Sequence, residues 1–493
     1  MSSKLDRVNN ISSRNNSIIS NLFKLENSTL GYTLIAFTIT LWFYRNNLQS
    51  INILLAIIAI VWLAVKLLAR TKLFTKREED FAKPSAKRQL KLLSLIIVAF
   101  VTFIIVSTTL VVNIADDFGA EPTPHDSPNY EDGAFQNLKP TNVQSENASF
   151  WGTLGSYMVG DDLRSPNVEL PSKQFELMNL NPGQISITWF GHSTILLHSN
   201  NVTLITDPVF GESGTGPLSL GPAPFPYENT YNLAELPDID YVFISHDHYD
   251  HLDMDTAKYL RDSKFFVPLG VKAHLLSWGI DKENIQEFDW FDEANLSEDL
   301  HVALTPARHF SGRSIGDGDS TLWASWAFNL HDKAIFFSGD TGYMEEFVTI
   351  GERYGPFDIA FLESGQYNEA WSEIHMLPAE VVQAGLDLNT SAILPIHNSK
   401  FELALHRWDE PLELVSSEGA QRNLTVATPM IGESFILGDS TPHDAWWRNV
   451  SYGEPAFLKE SPIIGFMLIP LNIVGVLWIF VPWYMGPQDD SEE

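Results

Sequence analysis

The sequence predicts an α/β domain that is joined to membrane-spanning helices. Three observations support this fold class: strand-like apolar runs that end in polar loops, a dense cluster of His and Asp in one of those loops, and long apolar stretches near both ends of the chain. At 493 residues the chain exceeds the usual size of a single hydrophobic core. Segments beyond the globular domain are therefore expected.

Four apolar stretches are candidates for transmembrane helices. Residues 51–69 and 92–112 are close to the roughly 20 apolar residues that a spanning helix needs. Residues 30–44 are shorter and end in aromatic residues, as at a membrane interface, so we expect them to form a hairpin with the next span. Residues 463–485 contain Pro and Asn and predict a kinked fourth span. A signal peptide is a weaker alternative, because the polar stretch 1–29 comes first.

The charge is segregated along the chain. Residues 1–115 carry a net charge of +9 and residues 116–462 carry −36, within a total of −31. Basic residues are concentrated in the loop 70–91 between the second and third spans, which the positive-inside rule places in the cytoplasm. One further crossing places the acidic domain on the non-cytoplasmic side of a multi-pass integral membrane protein. So acidic a surface repels phosphate backbones, and nucleic acid is not expected as a partner.

The region between the third and fourth spans divides into two parts. Residues 116–183 are rich in Pro, Asn, Asp and Ser and predict a linker and approach segment. Residues 184–455 predict the globular domain, followed after the last span by an acidic tail at 486–493. The runs ISITWFGHSTILLHS, VTLITDPVF and DYVFISHDHYDHLD are rich in β-branched and aromatic residues and predict three consecutive strands.

Four potential metal ligands follow the third of these strands within six residues: His246, His248, Asp250 and His251. Two His at i and i+2 project to one side of an extended segment, whereas Asp250 and His251 can turn towards a second point nearby. The chain has no Cys, so His and carboxylate side chains are the expected ligands, and these suit zinc. One loop can therefore serve two metal ions. A polar loop that happens to be rich in His is the alternative.

The cluster resembles the His-x-His-x-Asp-His signature of the metallo-β-lactamase superfamily. This resemblance implies an αββα sandwich with metal ions at the edge of the sheets. It also implies three further ligands, each at a point where an apolar strand meets a loop: His309, Asp340 and His397. A lone His or Asp at such a point is usually structural. The order and the strand context favour ligands here.

The resemblance distributes these ligands over two zinc ions. One ion would be held by His246, His248 and His309, the other by Asp250, His251 and His397, with Asp340 bridging them. Asp207, in ITDPVF, resembles the family's strand-end Asp that orients a ligand histidine. His192, in GHST, is expected to pack and form hydrogen bonds inside the sandwich.

A narrower resemblance covers residues 184 to about 411. The motifs WFGHST, TDPVF, GPAPFPY, FVPLG, STLWASWAF, GDTGY and RYGPFD occur in order and together look like the N-acylphosphatidylethanolamine-hydrolysing phospholipase D family. The resemblance implies hydrolysis of a phosphodiester in a phospholipid, with the metal ions and Asp250 in the catalytic centre. His375 resembles a family histidine near the substrate and is a candidate acid or phosphate contact. A surface histidine at a helix start is the alternative.

The sequence departs from this family after the last ligand, where IHNSKF replaces a Trp-Gly-Thr type segment. Lys400 is a candidate contact for a phosphate or carboxylate, with a surface lysine as the alternative. Tyr367, Trp371 and Phe401 are candidates for the wall of an acyl channel, although scattered aromatic residues more often belong to the core. Two other functions remain open. One is a lactonase or other ester hydrolase of the same fold, and the other is a non-catalytic metal-binding membrane protein.

Overall fold

A computed structural model describes most of the chain between residues 115 and 451. The described ranges are 115–123, 126–145, 162–211, 215–217, 221–314 and 316–451. Outside them lie the four predicted spans 30–44, 51–69, 92–112 and 463–485, the basic loop 70–91, and the tails 1–29 and 486–493. Within the described ranges, no helix combines the length and the apolar character that crossing a bilayer requires.

Sixteen strands and five α-helices occur in the described ranges. The strands are β1 Tyr130–Glu131, β2 Ala134–Phe135, β3 Ser186–Trp189, β4 Ile195–His198, β5 Thr203–Thr206, β6 Tyr241–Phe243, β7 Lys264–Pro268, β8 Ile285–Phe288, β9 Glu293–Asn295, β10 Leu300–Pro306, β11 Ala324–Leu330, β12 Lys333–Phe337, β13 Ile359–Glu363, β14 Ala392–Ile396, β15 Thr425–Val426 and β16 Ser434–Ile436. The helices are α1 Met254–Tyr259, α2 Val271–Ser277, α3 Glu346–Tyr354, α4 Pro378–Asp387 and α5 Glu410–Arg422.

Two seven-stranded sheets form the centre of the domain. The first has the order β16-β3-β4-β5-β6-β7-β8 and the second the order β15-β14-β13-β12-β11-β10-β9. One apolar cluster joins the inner faces of the two sheets, a second joins the outer face of the first sheet to α1 and α2, and a third joins the outer face of the second sheet to α3, α4 and α5. The layers are therefore helix, sheet, sheet, helix, and the expected αββα sandwich is confirmed.

The apolar strand runs divide their side chains between the two faces of a sheet. In β12, Ile335 and Phe337 contact the core between the sheets, whereas Phe336 between them contacts the helices outside. In β6, Phe243 faces the inner core and Val242 faces α1 and α2. Successive strand side chains point to opposite faces, so a continuous apolar run is what a sheet covered on both sides requires.

Local sequence explains where several helices begin and end. The Asp253 carboxylate caps α1 by accepting the Thr256 backbone N–H at 3.2 Å. Helix α4 begins with Pro378 at its first position, and the Glu380 side chain accepts the Leu377 N–H at 2.8 Å. Helix α5 ends at Arg422 and is followed by Asn423, which adopts the left-handed conformation common after helices.

Strand direction brings the carboxyl ends of the important strands to one edge of the sandwich. β5, β6 and β7 are parallel, and so are β12, β13 and β14. β10 is antiparallel to β11, which is antiparallel to β12, so β10 and β12 run in the same direction. Loops that leave the carboxyl ends of parallel strands gather at one edge, where ligands commonly bind.

The first part of the predicted approach segment packs against the domain near this edge. From here on, the name approach segment refers only to residues 115–123 and 126–145. The Trp278 indole N–H donates to the Asp116 carbonyl at 2.7 Å, and the Ala120 N–H donates to His274 Nδ1 at 3.1 Å. The Asn137 amide forms two hydrogen bonds with the backbone of His309, in the loop after β10: its Nδ2 donates to the His309 carbonyl at 2.7 Å, and its Oδ1 accepts the His309 N–H at 3.1 Å. The approach segment is therefore part of the folded unit.

Candidate metal centre

The loop after β6 carries the His and Asp cluster. The chain leaves the strand through Ser245, whose N–H and hydroxyl both donate to the Asp207 carboxylate, at 2.7 and 2.5 Å. The other sheet approaches closely here: Gly339 has a φ of 56°, and a Cβ on it would lie 2.5 Å from the Ser245 Cβ. Only glycine fits this position without displacing the loop.

The first group of ligand atoms comes from three histidines. His246 Nε2 lies 2.8 Å from His248 Nδ1, and His309 Nε2 lies 3.4 Å from the same atom. His246 and His309 are fully buried, and His248 lines the cleft described below. The three nitrogens therefore converge on one point from the loop after β6 and the loop after β10.

The second group comes from Asp250, His251 and His397. His251 Nε2 and His397 Nε2 each lie 3.5 Å from Asp250 Oδ2. Asp340 Oδ2 lies between the groups, at 3.2 Å from His251 Nε2 and 3.1 Å from His397 Nε2. It is also 3.9 and 3.8 Å from the Nε2 atoms of the first group's His246 and His309. One carboxylate oxygen thus faces both groups.

These atoms fit metal ions better than they fit one another. Asp340 Oδ1, His251 Nε2 and His397 Nε2 are buried and make no hydrogen bond within the described part of the chain. Unpaired buried polar atoms are rare, because each costs the free energy of desolvation. Tetrahedral zinc with Zn–N bonds of about 2.0–2.1 Å separates neighbouring ligand atoms by about 3.3 Å, close to the spacings found here. Each group is therefore suited to hold one metal ion.

Burial and mutual charge set the protonation of the cluster. Burial lowers the pKa of His246 well below its ordinary value, and His251 and His248 lower it further. Burial would raise the pKa of Asp340, but the neighbouring His251 and His397 outweigh it and hold that pKa well below the usual range. Burial would lower the pKa of His251, but Asp340 and Asp250 outweigh it and raise that pKa well above its ordinary value. Neutral imidazole and ionised carboxylate are the forms that bind metal ions, so a metal ion would replace the proton on His251.

Partners on the far side of the rings orient several ligands. Asp207 Oδ2 lies 2.7 Å from His251 Nδ1, so this carboxylate accepts a hydrogen bond from the Nδ1–H. The other ring nitrogen, Nε2, therefore faces the cluster. His309 Nδ1 donates to the Ile374 carbonyl at 3.1 Å. Such partners fix the tautomer and the direction of a metal-binding histidine.

His192 packs inside the sandwich and also contacts the cluster. Its Nε2 lies 2.9 Å from Asp250 Oδ2, and its ring lies 4.3 Å from that of His397. Burial lowers the pKa of His192 to about 3, so the ring is neutral and its Nε2–H donates to the carboxylate. His192 therefore holds Asp250 in place.

A cleft of about 290 Å³ opens over the two groups. Its walls include His375 and Trp371, together with apolar side chains from Val143, Phe310 and Leu403. The Trp371 indole donates to the Gln366 carbonyl at 2.7 Å, which fixes the ring at the wall. Of the candidate substrate contacts, the structure thus brings His375 and Trp371 to the metal-binding atoms.

The other candidate substrate contacts lie elsewhere. The buried Tyr367 hydroxyl donates to Glu410 at 2.8 Å, and its ring stacks on His406. Lys400 is buried, and its ammonium donates to the Val209 carbonyl at 2.6 Å. Phe401 is buried with its ring edge against His192. These three side chains support the loops behind the cluster and do not line the cleft.

Sequence reasoning did not identify two polar residues beside the cluster. Ser245 links Asp207 to the first group, because its hydroxyl oxygen also lies 2.9 Å from His246 Nδ1. Glu363 ends β13 and is fully buried between His375 and His397. Glu363 closes the apolar run IAFLE at the point where a strand meets a loop, the kind of position at which Asp340 was expected. The same criterion would have found it.

Comparison with known proteins places the chain in a family. A family model described as "Beta-lactamase superfamily domain" matches residues 203–398. An uncharacterised protein of Mycobacterium tuberculosis is 39% identical over 346 residues, which cover 68% of this chain and 91% of that protein. The N-acyl-phosphatidylethanolamine-hydrolyzing phospholipase D 1 of Caenorhabditis elegans is 31% identical over 275 residues, 51% of this chain and 76% of that protein. A metallo hydrolase from Ignicoccus hospitalis, a solved structure, gives a TM-score of 0.41 at 23% identity and covers 52% of this chain and 100% of its own.

The alignments with the mycobacterial and nematode proteins cover most of the length of each relative, and the superfamily model covers the metal-binding loop and the strands around it. The chain therefore belongs to the β-lactamase superfamily as a hydrolase of the metallo-β-lactamase fold, in the family that includes the N-acyl-phosphatidylethanolamine-hydrolysing phospholipases D.

Proposed function

We propose that this hydrolase is a membrane-anchored phosphodiesterase that uses two zinc ions to cleave phospholipids such as N-acylphosphatidylethanolamine. The observation that carries the proposal is the position of Asp340. Its Oδ2 lies within 3.9 Å of four imidazole nitrogens, two from each ligand group. Asp340 would therefore be shared by the two ligand groups if each group held a metal ion, and paired metal ions serve many phosphodiester-cleaving centres.

The donor set favours zinc. All the ligands are imidazole nitrogens or carboxylate oxygens, and the chain has no Cys. A pair of such ions supplies a nucleophile from water at neutral pH and stabilises the negative charge that develops on the phosphoryl oxygens. Asp250, held by His192, and Asp340 contribute negative charge that balances the ions.

In this proposal, His375 transfers a proton to the leaving group. Its ring lines the cleft, and its Nδ1 lies 3.1 Å from the buried Glu363 carboxylate. The Nδ1–H is therefore directed to Glu363, and Nε2 is the nitrogen that remains for the cleft. A histidine within reach of the departing oxygen supplies general acid catalysis.

The names of two relatives support a phospholipid substrate. The proteins of C. elegans and Saccharomyces cerevisiae that are 31% and 34% identical to this chain are both named N-acyl-phosphatidylethanolamine-hydrolyzing phospholipase D. The apolar residues in the cleft wall are compatible with the glycerol and upper acyl region of such a lipid. The apolar stretches near both chain ends would hold the domain beside its substrate, which raises the effective substrate concentration.

Hydrolysis of a defined lipid by the full-length protein tests this function. In mixed micelles with N-acylphosphatidylethanolamine, zinc-loaded wild type should release phosphatidic acid, detected by mass spectrometry. Asp340→Asn and His397→Ala should lower kcat/KM by more than about 100-fold, beyond the loss typical for partners that only orient a ligand.

His443→Ala is the matched control, because His443 is exposed and contacts only the Thr441 carbonyl among the described residues. It should retain full activity. A wild-type protein that releases no phosphatidic acid but opens a lactone to the hydroxy acid would contradict the phosphodiesterase assignment. It would instead support an ester hydrolase on the same centre.

A further inference from the structure

A buried carboxylate lies between two histidines of the centre. Glu363 has no exposed surface, and its Oε1 is 3.1 Å from His375 Nδ1 and 3.5 Å from His397 Nδ1. Its Oε2 accepts the Met376 N–H at 2.9 Å, and its own N–H donates to the Ser338 hydroxyl at 2.8 Å. The carboxylate is therefore fixed from both oxygens and from its backbone.

The two histidines depend on this carboxylate for their orientation. His397 Nδ1 is buried and makes no hydrogen bond within the described ranges, and the carboxylate that it faces is that of Glu363, whose Oε1 lies 3.5 Å away. The His375 and His397 rings stack with centroids 5.2 Å apart and planes at 14°. With both Nδ1 atoms turned to one carboxylate, both Nε2 atoms point away from it. One faces the second ligand group, and the other faces the cleft.

We infer that Glu363 is a positioning residue that fixes His397 for the second metal ion and His375 for the substrate at the same time. An isolated carboxylate is costly to bury, and the Met376 N–H occupies only one of its oxygens. The other oxygen has the two imidazoles as its partners. The half of the inference that concerns His375 rests on the proposed function. The half that concerns metal binding does not.

The first test measures metal binding alone. Zn²⁺ is titrated into metal-free full-length protein against a chromophoric chelator, with Co²⁺ absorption as a second signal. Glu363→Gln keeps the size of the side chain but removes the charge and one acceptor. We expect the first Zn²⁺ to bind as in wild type and the second to bind about 10–100-fold more weakly, the range found when a partner of a metal-binding histidine is lost.

Glu380→Gln is the matched control. Glu380 accepts the Leu377 N–H, next to the Met376 N–H that Glu363 accepts, but it contacts neither imidazole. It should bind both ions as wild type does. Equal affinity for both ions in Glu363→Gln and wild type would overturn the inference, and so would equal weakening in Glu380→Gln.

A conservative variant covers the case in which Glu363→Gln does not fold. Glu363→Asp retains the buried charge but has a shorter reach, and it should fold with a smaller loss at the second ion only. Weakening of both ions to the same degree in Glu363→Asp would indicate a merely structural role and would overturn the inference.

A double-mutant cycle tests the part that concerns His375. Glu363→Gln should lower kcat more than it raises KM in wild type, and it should lower kcat less when His375 is already Ala, because the two residues act together. Full additivity of the two substitutions would contradict this part. If the chain cleaves no phospholipid while Glu363→Gln still weakens the second ion, the proposed function fails and the metal-binding inference stands.

Discussion

At the scale of single residues, the centre depends on what lies behind each ligand. His251, His309 and His397 each direct their second nitrogen to an acceptor: the Asp207 carboxylate, the Ile374 carbonyl and the Glu363 carboxylate. A sequence motif specifies the ligand types but not these acceptors, because they come from other parts of the chain. Asp207 was found only because it ends an apolar strand within a recognisable motif.

Removing Asp207 should weaken metal binding without abolishing the fold. In Asp207→Asn the carboxylate that accepts from His251 and Ser245 is replaced by an amide, so we expect the affinity for metal to fall about 10–100-fold. Zn²⁺ competition titration measures the change. Asp240→Asn is the control, because that carboxylate accepts the Thr203 N–H at 2.8 Å without touching a ligand. Unchanged affinity in Asp207→Asn would disprove the role.

Lys400 gives the stability of the fold a pH dependence. Burial lowers its pKa from the ordinary 10.5 to about 8. Between these values the folded chain has released the proton while the unfolded chain retains it, so the free energy of unfolding rises with pH by up to about 1.4 kcal/mol per pH unit. Below about pH 8 both states are charged, and the contribution is constant.

Denaturant unfolding of wild type and Lys400→Met checks this expectation. Between about pH 8 and pH 10 the stability of wild type should increase relative to that of the variant, since groups common to both proteins cancel in the comparison. Parallel stability curves for the two proteins over this interval would show that Lys400 does not titrate there.

At the scale of elements, the metal loop is held by a buried arginine. The Arg313 guanidinium donates to the carbonyls of Asp247, within the cluster, and Leu252, directly after it, at 2.7 and 2.8 Å. It also donates to the Asp117 carbonyl at 2.9 Å and lies 3.9 Å from the centre of the Tyr249 ring. One side chain thus joins the metal loop to the approach segment.

Reducing the number of hydrogen-bond donors at position 313 should make the metal loop more mobile. Arg313→Lys keeps the charge but cannot satisfy carbonyls in three directions, so we expect a loss of about 2–4 kcal/mol in the free energy of unfolding. Amide hydrogen exchange across residues 245–252 should become faster. Arg353→Lys, at a half-exposed arginine paired with Glu293, should leave that exchange unchanged. Equal exchange in all three proteins would contradict a clamping role.

The elements differ in how far the sequence predicts them. β5 and β6 fall within the second and third runs of β-branched and aromatic residues, as expected. The prediction of a single strand for the run ISITWFGHSTILLHS is wrong: the chain turns between Phe190 and Thr194, so the run forms two antiparallel strands, β3 and β4. The αββα layers followed from the resemblance.

The sequence predicted a linker for the approach segment because its apolar residues follow neither a helical nor a strand periodicity. In the structure, the Asn137 side chain forms two hydrogen bonds with the His309 backbone, and the Phe135 N–H donates to the Asp319 carbonyl. Contacts of this kind follow no local pattern, so composition alone could not reveal them.

At the scale of the whole molecule, the charge asymmetry predicts an orientation in the membrane. Since the chain has no Cys, single cysteines introduced at Ser85 and Glu352 can report the side of each segment. Glu352→Cys, on the exposed face of α3, should react with a membrane-impermeant maleimide in spheroplasts. Ser85→Cys, in the basic loop, should react only after permeabilisation. The reverse pattern would place the domain in the cytoplasm.

The contacts of the approach segment also limit which parts of this protein can be exchanged for the corresponding parts of a relative. Asn137 brackets a candidate metal ligand, and the Asp117 carbonyl receives the arginine that holds the metal loop. A chimera that takes the two sheets from one relative and residues 115–145 from another would separate partners that are bound to each other in the folded domain. Such a chimera is expected to bind metal less well than either parent. The unit that can be exchanged by recombination therefore begins upstream of the first long strand.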